Sequence, residues 1–272
     1  MQNMITGNRT LTLTAAFLIL LFLLSSGYSP AQTPEERGMS IAVEADRRDT
    51  GYGDSMAEMV MILRNRHGEE SLRRIRFRTL EVNNDGDKSL TIFDSPKDVT
   101  GTAFLNFTHK VGDDDQWLYL PALKRVKRIT SNNKSGSFMG SEFAYEDIAS
   151  QEIEKYTYKW LRNEICDNME CFVVERYPVD RKNSGYSRQV AWLDKEEYRT
   201  LKVQYYDRKN AHLKTLTMSD YQQYMNKYWR PAKMLMINHQ TGKTTELQYA
   251  NYQFNVGLTD KDFNKNSLQR VR

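Results

Sequence analysis

Residues 104–148 read FLNFTHKVGDDDQWLYLPALKRVKRITSNNKSGSFMGSEFAYEDI, and their pattern decides the fold. An apolar stretch at 104–109 meets Gly112 and the acids Asp113, Asp114 and Asp115, a polar turn. A second apolar stretch, 116–120, follows at once, and two such stretches across a short turn predict an antiparallel hairpin. Trp117, Tyr119 and Pro121 alternate with Leu118, Leu120 and Ala122, so both faces of the second strand are apolar and both are expected to be covered. Pro121 offers no N–H, which fits an edge or a bulge. The basic run Lys124, Arg125, Lys127 and Arg128 comes next. It reads either as a docking patch for anionic headgroups or an acidic partner, or as a solvated strand. Residues 131–141 have no periodicity, yet Phe138 and Met139 stand among Ser, Asn and Gly, and Phe143 follows. With Gly136 and Gly140 beside them, the pair reads either as a mobile flap over a cavity mouth or as a fixed plug anchored by Phe138.

Working outward, the same strand-and-turn rhythm recurs. Strand-like runs stand at 56–64, 71–82 and 88–94 before this stretch. Seven more stand after it, at 152–163, 170–177, 187–193, 199–207, 212–224, 232–238 and 244–255. In 71–82, Arg74, Arg76 and Arg78 alternate with Ile75, Phe77 and Thr79, the period of a half-buried strand. No helix separates these runs, so the sheet is antiparallel. Thr33-Pro34-Glu35-Glu36 opens a helix over 33–49 with a capping box. Short helical segments near Ser95 and Glu146, and a terminal helix or tail over 259–272, complete the set. The fold class is therefore mostly β: a curved antiparallel sheet, an open half-barrel of about eleven strands, with a few short helices covering its concave apolar face. No linker or repeat interrupts 32–272, which reads as one domain.

The chain has 272 residues, 39% hydrophobic and 27% charged, with a net charge of +4. That balance argues against a general nucleic-acid binder. Arg9 followed by the apolar run 11–24, with small residues at Ser29 and Ala31, reads as a signal peptide cleaved near Ala31, the alternative being an uncleaved anchor. Export to a bacterial periplasm follows. The two cysteines, Cys166 and Cys171, flank four residues. A four-residue hairpin loop would set them opposite each other at a spacing that suits a disulfide, which an oxidising compartment favours.

Catalytic signatures are missing. His67, His109, His212 and His239 are scattered without a ligand-spaced partner, and there is no nucleophile elbow, P-loop or dinucleotide fingerprint. Asn83–Asp87 reads as a hairpin turn, since no bidentate Glu follows where a calcium loop needs one. The three acids at 113–115 read as a solvated loop. No enzyme, metal or cofactor is expected.

The run WLYLPALKRVKRI followed by SGSFMGSEFAYEDI resembles the outer-membrane lipoprotein-sorting (LolA-like) proteins, in the branch often encoded near large multi-pass exporters. The resemblance implies a half-barrel that encloses an apolar cavity, and a role as a periplasmic carrier of acyl chains of lipoproteins or other lipids towards the outer membrane. It also implies delivery by an inner-membrane exporter or transporter and transient contact with a membrane surface. On this reading Trp117, Leu118, Tyr119, Leu120, Phe138, Met139 and Phe143 are the expected cavity and lid residues. The alternative role is an envelope lipid or stress sensor that regulates a partner through the same fold.

Overall fold

The computed structural model describes residues 31–270, so the expected signal segment lies outside the described residues. Helix α1 (Pro34–Asp49) comes first, with Glu35 and Glu36 in its first turn and Arg47 and Arg48 in its last, each sign matched to the helix dipole. Thirteen strands follow: β1 (Asp54–Arg64), β2 (Glu70–Leu80), β3 (Lys88–Ser95), β4 (Ala103–Phe107), β5 (Asp115–Leu120) and β6 (Arg125–Ile129) before the 130–155 connection. After it come β7 (Tyr156–Cys166), β8 (Met169–Pro178), β9 (Tyr186–Asp194), β10 (Thr200–Asp207), β11 (His212–Tyr224), β12 (Tyr228–Asn238) and β13 (Thr244–Phe254). All belong to one antiparallel sheet in the order β6-β5-β4-β3-β2-β1-β13-β12-β11-β10-β9-β8-β7. The sheet is curved and does not close. Its open edges, β6 and β7, are consecutive in the chain, and β1 and β13 pair at its centre.

Alternation along each strand sorts side chains between two faces. On the concave face one apolar cluster runs through Met59 and Met61 of β1, Ile75 of β2, Phe93 of β3 and Phe104 of β4. It continues through Leu118, Val174, Ala191, Val203, Leu216, Met236 and Leu247. Ile41 of α1 joins this cluster. The helix runs along β7 so closely that a Cβ on Gly38 would lie 2.6 Å from the Trp160 amide nitrogen, so only glycine fits there. The convex face carries two smaller clusters. One, under the terminal 3-10 turns, joins Phe263 and Leu268 to Leu90, Ile92, Ala103 and Leu105. The other joins Cys171, Val173, Val190, Trp192 and Leu201. Among the described residues no helix is long and apolar enough to cross a membrane.

Two expectations need correction. The sheet has thirteen strands rather than about eleven; Arg125, Lys127 and Arg128 of the basic run lie in edge strand β6, in keeping with the solvated-strand reading, and β6 pairs with β5 from Gln116↔Ile129 to Leu120↔Arg125. The disulfide is also absent. Asp167 and Asn168, both with positive φ (48° and 64°), make a two-residue turn, the geometry that closes hairpins most tightly. Cys166 therefore faces Met169 and Cys171 faces Glu164, which leaves the cysteines diagonal and their thiols free. Burial pushes the Cys171 thiol up to about 12, whereas Cys166 is half-exposed. Iodoacetamide on the native protein is expected to label Cys166 alone, and both cysteines only after unfolding. Equal labelling of the two in the native state, read by peptide mass spectrometry, would contradict this.

Candidate functional site: the plugged concave face

The concave face is closed by the chain segment that joins the two sheet edges. Residues 130–155 leave β6, cross the open side and enter β7. Inside the segment the Phe138 N–H donates to Phe143 O at 2.7 Å, and Ser137 bridges to Ala144. The result is a small tongue whose tip, Met139 and Gly140, needs left-handed backbone (φ 53° and 78°). The tongue drives Phe138 and Phe143 fully inside, at 0% and 1% exposure. The Phe138 ring meets Phe104, Tyr145 and Phe93 at centroid separations of 5.2, 5.5 and 6.0 Å. These are the tilted and edge-on arrangements aromatic pairs prefer. At the tip, the half-buried Arg73 guanidinium of β2 donates to Met139 O.

The opposite wall holds the segment with polar groups. Short helix α2 (Tyr145–Ile148) carries Asp147, which forms a 2.6 Å ion pair with Lys214 of β11, both side chains at least 95% buried. Asp147 also accepts from Tyr186 Oη (2.9 Å) and the Ala144 N–H (2.7 Å). Lys214 Nζ donates a second bond to Glu142 O at 2.8 Å. Asn238 Nδ2 donates to the Glu142 carboxylate at 2.6 Å, and the Glu142 N–H donates to Thr245 Oγ1 at 3.0 Å. Four strands, β9 and β11–β13, thus grip one tongue. A buried ion pair stands against its desolvation only when remaining donors and acceptors are satisfied, as they are here.

Beside this pair, Glu146 accepts from the Gly185 N–H (2.7 Å) and Ser184 Oγ (2.8 Å). Burial, and then the Asp147 charge, push its carboxyl up to about 7. Burial similarly lifts Glu152 to about 7 and Asp87 to about 6. These acids keep their protons in the folded state at a pH where the unfolded chain has lost them. The stability they confer is full near their ordinary values and falls as pH rises through the folded ones. The melting temperature is expected to drop between pH 5 and pH 7.5, and Glu146→Gln to flatten that slope. A melting curve that rises over this interval in a pH series would refute the assignment.

The structure separates the residues expected from sequence. Leu118, Leu120, Phe138, Met139 and Phe143 belong to the concave cluster. Trp117 and Tyr119 fall on the convex face, packed with the terminal turns, and Trp117 meets Phe107 edge-on at 5.2 Å. Lys124, Arg125 and Lys127 are exposed along the β5–β6 edge, and Arg128 pairs with Asp115 at 2.6 Å. Where β6 and β7 fail to meet, a cavity of ≈ 300 Å³ opens, lined by Lys110, Gln116, Ile129, Lys134, Glu146 and Tyr156 among others. Ile129 belongs both to this cavity and to the concave core. Sequence reasoning missed Lys214, Asp147 and Arg73. A signal existed for Lys214, which is in phase with Leu216 and Met218 and hence on their inward face.

An open antiparallel half-barrel, plugged on its concave side by the connection between its own edges, defines the class. A solved structure from Vibrio parahaemolyticus, described as an outer membrane lipoprotein-sorting protein domain, is 60% identical; the match covers 87% of this chain and 100% of that one, with a TM-score of 0.85. A DUF1329 family protein from Desulfovibrio piger is 33% identical over 87% of this chain and 100% of that one, with a TM-score of 0.82. The chain belongs to the family of these lipoprotein-sorting and DUF1329 domains. A LolA superfamily protein from Nitrosomonas europaea, 21% identical over 84% of this chain and 98% of that one (TM-score 0.68), shares the fold. The family model that matches residues 85–270 is described as uncharacterized-protein-like. No curated protein sequence matches the chain.

Proposed function

We propose that the protein is a periplasmic carrier that takes acyl chains of lipoproteins or other lipids onto its concave face and moves them towards the outer membrane. Cargo is received from an inner-membrane exporter or transporter. The observation that supports this reading is that the apolar interior is stoppered by a connecting segment of the chain rather than sealed by the sheet itself. Lifting Phe138 loses about 3–5 kcal/mol of packing, and each acyl methylene buried in its place returns about 0.8 kcal/mol, so roughly five methylenes balance one ring. The lining suits cargo of variable shape. Met59, Met61 and Met236 are buried in it, and half-buried Met218 and Met234 face each other across β11 and β12. The supporting relative at 60% identity is itself described as a lipoprotein-sorting domain.

Lipid extraction and mass spectrometry of the protein purified from its own envelope test the reading. Co-purified acylated molecules in near-stoichiometric amount are expected. A lipid-free protein that also leaves a fluorescent fatty acid unbound would overturn it. In this scheme the basic edge serves docking and not cargo affinity. Replacing Lys124, Arg125, Lys127 and Arg128 with Ser is expected to weaken association with anionic vesicles while leaving fatty-acid affinity unchanged. Wild-type association should weaken with salt. Association that is indifferent to salt would remove the patch from the scheme.

A further inference from the structure

The concave face contains a polar strip that the plug touches at one end, where Gln116 Nε2 donates to Tyr145 O at 3.5 Å, and that the apolar cargo reading does not use. Cross-strand pairing sets Thr79, Ser89, Asn106 and Gln116 side by side, one each from β2, β3, β4 and β5, and the row ends at Ile129. All four are more than nine-tenths buried. Gln116 Nε2 donates to Asn106 Oδ1, and Asn106 Nδ2 to Thr108 Oγ1, both at 3.0 Å. Thr91, 1% exposed and two residues beyond Ser89 on the same face, pairs with Phe77 and Phe104. Neither Ser89 Oγ nor Thr91 Oγ1 has a hydrogen-bond partner.

A buried hydroxyl left unpaired costs stability, so two on one strand face ask for a reason. Their position supplies one. Thr91 lies directly across from Phe104 and two residues from Phe93, the two rings on which Phe138 rests. The far end of the strip, Gln116 and Ile129, lines the cavity at the seam. A chain replacing Phe138 would therefore bring the atoms at its head onto hydroxyl donors, with a path from there to the seam.

We propose that Ser89 and Thr91 form a polar subsite in which one of the two hydroxyls, according to the depth of the chain, donates a hydrogen bond to the acyl carbonyl of an ester- or amide-linked cargo. This rests on the carrier reading and narrows it: the protein distinguishes an acylated molecule from a plain hydrocarbon chain by its carbonyl. Each hydroxyl has one O–H to donate, the two stand about 7 Å apart along the strand, and an ether or alkane offers no carbonyl to receive that bond.

The test compares 1-hexadecanoylglycerol with 1-hexadecylglycerol, which differ in the carbonyl alone, by displacement of a fluorescent fatty acid from the full mature chain. The wild type is expected to bind the ester about tenfold more tightly, the size of one neutral hydrogen bond or slightly more. Thr91→Val and Ser89→Ala should abolish that preference, leave ether affinity in place and leave the ligand-free melting temperature undiminished. Equal binding of ester and ether by the wild type overturns the subsite while the carrier reading stands. So does a preference that survives both substitutions, or a ligand-free protein that Thr91→Val destabilises, which would show that the hydroxyl serves the fold. Failure of both compounds to bind removes the carrier reading and the subsite with it.

Discussion

Replacing Lys214 with Met is expected to cost about 3–5 kcal/mol of stability, the range for removing one partner of a buried ion pair. Asp147 would remain at 3% exposure with its cation gone, and Glu142 O would lose a donor. The loss should concentrate in the tongue, because both acceptors lie on it while Lys214 sits in the sheet. Denaturant unfolding measures the cost, and hydrogen exchange of residues 130–155 locates it. Changing both partners, Lys214→Met with Asp147→Leu, should recover part of the loss, since no charge is then buried, while Tyr186 Oη and the Ala144 N–H are left without their acceptor. A single variant within 1 kcal/mol of the wild type would show that the pair holds nothing.

Phe138→Ala is the second large effect. The ring is fully buried against three other rings, and its removal should cost about 3–5 kcal/mol, transfer and cavity terms together. Of the two readings that residues 131–141 allow, the structure shows the ring inside, so a thermal melt of the ligand-free variant should fall well below the wild type. Under the carrier reading, saturating fatty acid should restore part of that loss, because the chain fills the volume the ring vacates. A variant that melts with the wild type would place Phe138 outside the core.

The sheet was legible because alternation is a local signal. Ile75 and Phe77 between arginines, and Leu118 and Leu120 between aromatics, each declare a strand without reference to the rest of the chain. Strand β6 stayed one of two readings in the sequence because three of its five residues are charged, which hides Val126 and Ile129. An edge strand tolerates that composition since one side of it meets no neighbour. The cysteine pairing failed on a matter of one turn: Asp-Asn accepts positive φ twice, and a two-residue turn shifts the register away from the four-residue loop. Trp117 and Tyr119 were assigned to the cavity because both faces of β5 are apolar. Only the terminal turns, more than 140 residues away, decide which face is which. The ion pair of Lys214 with Asp147 spans 67 residues, and no spacing rule joins such positions.

The pairing of β1 with β13 bears on how the molecule comes together. Every other strand neighbour is also a neighbour in the chain, so most of the sheet can assemble by short hairpin closures, first β1–β6 and then β7–β13. The central seam is different: Ser55 meets Phe254 and Arg64 meets Thr244, which are joined through the entire length of sheet between them. Closing it carries the largest loop-entropy cost of any pairing in the fold. Until Thr244–Phe254 arrives, β1 presents an unpaired edge with Met59 and Met61 beside it, the kind of surface that draws in other chains. The last strand to be made is therefore the one that turns two half-sheets into a single wall.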